Sequence, residues 1–173
     1  MNIQLLPLRK EETIAFKEEM QEAFQQGFQA HFPNEEGNNQ WQVLPDKDFY
    51  QSLNAVGAEA YEALAADGQR VGGAIIVIKA DEHRGELAFL YVKVGVQSKG
   101  IGQAIWKAIE TMHPEIEVWE TCTPYFDRRN IHFYINRCGF HAVEFFNEHH
   151  PDPNMPEQFD QEDGLFKFEK VMK

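Results

Sequence analysis

Apolar residues recur at every fourth position from Phe16 through Met20 and Phe24 to Phe28, inside a run of charged and amide residues from Lys10 to Phe32. That spacing predicts a helix with one buried stripe. A short strand over Asn2 to Leu8 precedes it, and a polar break over 33–45, with Pro33, Gly37, Asn38 and Asn39, follows it. Asp46 to Leu53, after Pro45, predicts a short helix. Tyr61 to Ala66, Asp67-Gly68 and Val71 to Ile78 form a hairpin signal, since Asp-Gly supplies the backbone of a tight turn. A second turn over Asp81 to Gly85 leads into Glu86 to Val94, giving three antiparallel strands. Ala74 to Ile78 and Leu87 to Val92 are almost continuously apolar, which predicts strands buried on both faces and helices on each side of the sheet.

Ile101, Ile105, Ala108, Ile109 and Met112 trace one face of a helix that begins at Gly100 and ends at His113-Pro114. Ile116 to Thr121 predicts a strand, Arg128 to Cys138 a helix with Gly139 as its C-terminal cap, and Phe140 to Phe146 another strand. Leu165 to Met172 can pair with that strand across a loop holding Pro151, Pro153 and Pro156. No internal repeat or low-complexity tract interrupts the pattern.

At 173 residues, with 43% hydrophobic side chains, the chain suits one domain over 1–173 with a substantial core. The first twenty residues include Arg9, Lys10, Glu11 and Glu12 and no apolar leader core, and Val71 to Ile78 is far short of a membrane span, so a cytoplasmic protein without a membrane partner is expected. Two cysteines, Cys122 and Cys138, suit a reducing compartment and rule against a disulfide framework. A net charge of −12 repels a phosphate backbone and attracts cations, which excludes nucleic acid as an expected partner. His149 and His150 lie beside Pro151 and Asp152, but two adjacent imidazoles do not converge readily on one ion, and no metal is expected.

The candidate chemistry begins at Gln97-Ser98-Lys99-Gly100-Ile101-Gly102, between the strand ending at Val94 and the helix from Gly100. The first N–H groups of a helix have no internal partner, so a glycine-bearing loop at that point makes an anion cradle, to which Lys99 adds charge. The spacing does not fit the P-loop, and Ile105 stands where a dinucleotide fingerprint needs its third small residue. With the strand Leu90-Tyr91-Val92-Lys93-Val94 before it, the loop resembles the acetyl-CoA signature of the GNAT family of N-acetyltransferases. Asn130 to Phe140, with Phe133-Tyr134 and Gly139-Phe140, is similar to that family's second landmark.

The resemblance implies an α/β fold: a mixed, mostly antiparallel central sheet of about seven strands, flanked by helices on both faces, with a splayed central strand pair. It implies acetyl-CoA as cosubstrate and transfer of its acetyl group to a primary amine, carried by a small molecule or a peptide, by direct attack in a ternary complex. Main-chain groups of Leu90, Tyr91 and Val92 then hold the pantetheine arm. Gln97, Ser98, Lys99, Gly100, Ile101, Gly102 and Gln103 hold the diphosphate. Tyr134 aligns with the tyrosine that protonates the departing thiolate.

Two carboxylates compete as general base under the same resemblance. Glu86 lies six residues before Val92, where the histone-acetyltransferase branch carries its glutamate, and Glu120 lies on the strand before the second landmark. Cys122 stands where other members place an acid, and is expected to be buried and inert. Asp127 stands where members often place an asparagine; it suits a helix cap, with Asn130 supplying the amide and Arg128 or Arg129 meeting the ribose phosphate. Many members dimerise through their last strands, so a homodimer is compatible with the resemblance. A CoA-binding sensor or scaffold without turnover is the alternative reading.

Overall fold

The computed structural model describes residues 2–31, 43–96, 100–152 and 164–172. Seven strands form one sheet: β1 (Gln4–Pro7), β2 (Ala58–Leu64), β3 (Arg70–Lys79), β4 (Arg84–Val92), β5 (Val118–Pro124), β6 (His141–Phe146) and β7 (Leu165–Val171). Their spatial order is β1-β2-β3-β4-β5-β7-β6, and the pairing is antiparallel everywhere except between β4 and β5. The last strand is therefore inserted between β5 and β6, so it pairs with both of them.

Four α-helices cover the sheet: α1 (Thr13–His31), α2 (Asp46–Leu53), α3 (Ile101–Met112) and α4 (Arg128–His132). On one face Phe16 and Met20 of α1 and Phe49 of α2 close over Ile75 and Tyr91. On the other, Ile101, Ile105, Trp106 and Ile109 of α3 pack with Ala74, Ile76, Leu87, Trp119 and Phe168. Residues 71–76 of β3 are buried throughout, as their unbroken apolar run requires when both faces carry helices.

Alternation is broken once in β4, and the break shapes the site. Ile75 pairs with Phe89 and Ile76 with Leu87, so Ala88 is an extra residue, a bulge. Without it Glu86 and Phe89 would point to opposite faces; with it, Glu86, Phe89 and Tyr91 share the α1 face, while Leu87, Leu90 and Val92 share the α3 face. A buried ion cluster fastens α1 to this region. Arg70 bonds Glu62 at 2.7 Å and Glu19 at 2.9 Å, and Glu19 accepts the Tyr91 hydroxyl at 2.8 Å.

Several expectations are corrected in detail. The helix expected over Arg128 to Cys138 is α-helical only to His132. Phe133–Arg137 form a π-helical turn, in which the Cys138 N–H reaches five residues back to the Phe133 carbonyl at 3.0 Å. The wider turn lets two consecutive aromatic residues be covered in different directions: Phe133 against Gly102, and Tyr134 into the core beside Phe140 and Phe168. Met112, expected on the buried face of α3, is exposed: it is the last residue of the helix and lies outside the cluster that Ile101, Ile105 and Ile109 join. At the β2–β3 turn only Gly68 takes a positive φ, while Asp67 accepts the Gln69 N–H through its side chain. The break over 33–45 falls largely outside the described residues.

Candidate active site

β4 and β5 run in parallel but pair at only three positions, Arg84 with Val118, Gly85 with Trp119 and Glu86 with Glu120. Past the last pair, the Thr121 hydroxyl donates across to the Leu87 carbonyl at 2.9 Å. Beyond it, β4 continues to Val92 and β5 to Pro124 with no ladder between them, so the peptide groups of β4 that face this gap have no strand partner. An open row of such groups can bind an extended polar chain in place of a strand.

The closed end of the pair is fixed from both faces. On the α3 side the Trp119 ring lies against Gly85 so closely that a Cβ there would come within 2.4 Å of it. On the α1 side Glu120 is held by Lys79 at 3.0 Å, Arg84 at 3.2 Å and Lys167 at 3.5 Å, and Arg84 also reaches Glu169 at 2.8 Å. Burial pushes the Glu120 carboxyl up, but its hydrogen bonds from Lys79 and Arg84 outweigh that and leave it below the usual range.

Glu86 is the opposite case. Among the described residues its carboxyl has no hydrogen-bonding or ion-pair partner, and burial, helped by the charge of Glu120, raises its pKa despite Lys79 and Lys167 nearby. The fork thus holds one carboxylate fixed in its charged form and a second, beside it, whose burial favours the protonated form.

At the far side of the gap, Gly100 takes φ 87 as the N-cap of α3, and a Cβ there would meet nothing within 4 Å. The conformation favours glycine, and among the described residues nothing crowds the position beside the first helical N–H groups. Ile101 is buried in the α3 core, so only its backbone faces that space. Gly102 does something sequence reasoning missed: a Cβ there would meet the Phe133 ring at 3.1 Å, so this glycine also seats the π-helical turn. The Gln103 side chain donates to the Arg137 carbonyl at 3.0 Å, tying the same two elements together. Gln97, Ser98 and Lys99 lie outside the described residues.

Tyr134 projects from the π-helical turn to the β5 side of the gap. Its hydroxyl contacts the Thr121 side chain, and burial raises its pKa, so the phenol keeps its proton. Thr121 bonds in turn to Leu87, so a polar chain runs from Tyr134 to the point where the strands part. Asp127 caps α4, accepting the Asn130 N–H at 3.0 Å, and Arg128 and Arg129 are exposed beside it. Leu90 and Val92 bury their side chains under α3, which leaves their main chain for the gap.

Cys122 corrects an expectation. It is exposed rather than buried, because β5 has no neighbour on the β4 side at that point, yet surrounding atoms and the charges of Asp152 and Glu86 push its thiol up to about 12. It is accessible and protonated, and so a poor nucleophile. His150 bonds Glu144 at 2.8 Å and stacks on Phe146, an ordinary turn contact. Among the described residues no group of three or more potential ligands could hold a metal, and no helix is long and apolar enough to cross a membrane.

A single sheet parted at one parallel pair, with a helix N-terminus aimed at the gap, defines a class of acyl-transfer folds. The family model described as the acetyltransferase (GNAT) family matches residues 15–140, and the chain belongs to that family. It is 41% identical over 177 residues to the uncharacterized protein YrkN of Bacillus subtilis (strain 168), covering 98% of this chain and 94% of that one. Similar solved structures include a Bacillus subtilis acetyltransferase in complex with CoA, at 19% identity and a TM-score of 0.65 over 99% of this chain and 98% of that one. A GNAT family acetyltransferase from Elizabethkingia anophelis with acetyl-CoA bound has 15% identity and a TM-score of 0.68, over 99% of each chain. The PaiA N-acetyltransferase of Thermoplasma acidophilum in complex with coenzyme A has 18% identity and a TM-score of 0.68, over 99% and 100%.

Proposed function

We propose that the chain, as one domain over 1–173, transfers the acetyl group of acetyl-CoA to a primary amine by direct attack, in the cytoplasm. The observation that carries this reading is the parted β4–β5 pair, with the Glu86 carboxyl, raised in pKa by burial, at its root and the protonated Tyr134 phenol on its β5 side. The described residues fit the cosubstrate. Open peptide groups of β4 at Leu90 and Val92 suit the amide-bearing arm, while those of Tyr91 between them turn to Gly73 of β3; the start of α3 at Gly100, Ile101 and Gly102 suits a diphosphate, with Gln97, Ser98 and Lys99 completing that loop. Asn130 and the exposed Arg128 and Arg129 stand ready for the nucleotide end. Two free cysteines fit a reducing compartment.

Acetyl-CoA supplies an activated acyl carbon and a thiolate leaving group. Glu86, directly or through a water, takes one proton from the acceptor ammonium, and the neutral amine forms the C–N bond as the C–S bond breaks. Tyr134 gives its proton to the thiolate and recovers one from the nitrogen through solvent. The balance is one ammonium and one thioester in, one N-acetylamine, one thiol and one proton out. Glu120 is ion-paired to three cations and contributes by keeping the fork in shape.

Thiol release with a panel of amines tests the reading. Acetyl-CoA-dependent release that requires an amine is expected; CoA binding without release for any amine would overturn it in favour of a sensor or scaffold.

A further inference from the structure

The sheet by itself holds the open run of β4 weakly. Past Leu87 no ladder joins it to β5, and on the β3 side Tyr91 and Val92 face Gly73 and Gly72, which have no side chains to pair with theirs. Both glycines admit close contacts: a Cβ at Gly72 would collide with the Tyr91 carbonyl oxygen, and one at Gly73 with the Phe16 ring. Phe16 of α1 therefore rests directly on the sheet, edge-on to Tyr91 with ring centroids 5.4 Å apart. The Tyr91 hydroxyl donates to Glu19 at 2.8 Å, and Arg70 grips both oxygens of that carboxylate, through Nε and Nη2, at 2.9 Å each. Arg70 also reaches Glu62 at 2.7 Å and Glu12 at 3.1 Å, while Arg9 bonds the other oxygen of Glu62 at 3.0 Å. Tyr91 and Glu62 are 2% and 1% exposed, so this cluster lies within the core. Burial pushes the Glu19 carboxyl up, but the bonds from Arg70 and Tyr91 outweigh it and keep the group charged.

We infer that Glu19 and Arg70 are positioning residues for the cosubstrate: through the Tyr91 hydroxyl they fix the open run of β4, and with it the main-chain groups of Leu90 and Val92 offered to the arm of acetyl-CoA. The inference rests on the transfer reading above and adds to it two residues that act through Tyr91 rather than on the ligand. Tyr91 stands between the two residues whose peptide groups are open, so holding its side chain holds both neighbours. A strand edge with no partner keeps freedom that a ligand must freeze on binding, and an anchor that removes the freedom beforehand raises affinity. Apolar packing alone would attach α1 to the sheet without the desolvation that buried charges carry. Hydrogen bonds of fixed length and direction add a single register between α1 and β4.

The experiment titrates CoA calorimetrically into the full chain and three variants, and sets each affinity against the thermal midpoint of the same protein. Tyr91→Phe removes one hydroxyl and keeps the ring on Phe16; Glu19→Gln keeps the shape and removes the charge that Arg70 grips. Each is expected to weaken CoA binding about tenfold. Arg9→Gln, at the exposed end of the same cluster, is the control. It should lower the midpoint, because Glu62 loses a partner, and leave CoA affinity unchanged. Wild-type affinity in Tyr91→Phe or in folded Glu19→Gln would overturn the inference and leave the transfer reading intact. So would an affinity that follows the midpoint across all three variants, the mark of a purely structural cluster. CoA binding by the wild type without thiol release for any amine would overturn the transfer reading alone, and no CoA binding by the wild type would overturn both.

Discussion

The two ends of the β4–β5 pair contrast sharply. At the closed end, three residue pairs are locked by Trp119 over Gly85 on one face and by ion pairs around Glu120 on the other. At the open end a few residues on, the ladder stops, and the crossing contacts reduce to the Tyr134–Thr121–Leu87 chain. The difference teaches a division of labour. The closed end stores stability and holds the geometry, whereas the open end keeps its backbone groups unpaired for a ligand, and the Glu86 carboxyl sits where the two meet. Substitutions at the open end should therefore change binding and turnover with little loss of stability, and those at the closed end should do the reverse.

The largest effect is expected at the start of α3. Gly100→Glu places a side chain and a negative charge in the anion cradle, and calorimetry should find no CoA binding. Gly100→Ala serves as its control, because it carries the same positive-φ strain of about 1–2 kcal/mol without the charge, and should retain measurable affinity. Unchanged affinity in the Glu variant would break the contrast at its first point.

Next comes Glu86→Gln, with turnover expected to fall about a hundredfold at neutral pH. The sign of the pH dependence is set by the raised pKa. The base must be ionised, so kcat/KM in the wild type should climb through a limb above the ordinary glutamate value of about 4.3. The variant should lose that limb, and its deficit should shrink at high pH, where the amine is already neutral. A full rate independent of pH would remove Glu86 as the base.

Tyr134→Phe should lower kcat about tenfold while CoA affinity stays within a few-fold, since a thiolate leaves fairly well unaided. A wild-type rate would dismiss the phenol as proton donor. At the closed end, Gly85→Ala drives a Cβ into Trp119 and should cost about 1–3 kcal/mol, a Tm loss of about 2–4 °C per kcal/mol. Its thermal melt should shift more than its kcat. The smallest effect is electrostatic. Glu120→Gln removes a like charge beside Glu86 and frees Lys79 and Lys167, so the limb of the pH profile should move to lower pH. A move to higher pH would contradict the arrangement of charges at the fork.

Much of this frame was legible in the chain. The stripe Phe16-Met20, the Asp67-Gly68 turn, the apolar run of β3 and the glycine at the start of α3 each follow from local periodicity or from a backbone conformation that one residue type satisfies best. Glu86 and Glu120 looked alike there, because both are glutamates on strands. Only their neighbours separate them, and those neighbours, Lys79, Arg84 and Lys167, come from strands distant in sequence.

The sequence by itself determined most of the helices and strands, their apolar stripes and the glycine that starts α3, since these depend on residues a few positions apart. The tertiary structure alone decided that β7 inserts between β5 and β6, that the bulge at Ala88 turns Phe89 to the side of Glu86, and that Cys122 opens to solvent. Strand order, register and the burial of a charge depend on contacts between elements far apart in the chain, which no local pattern encodes.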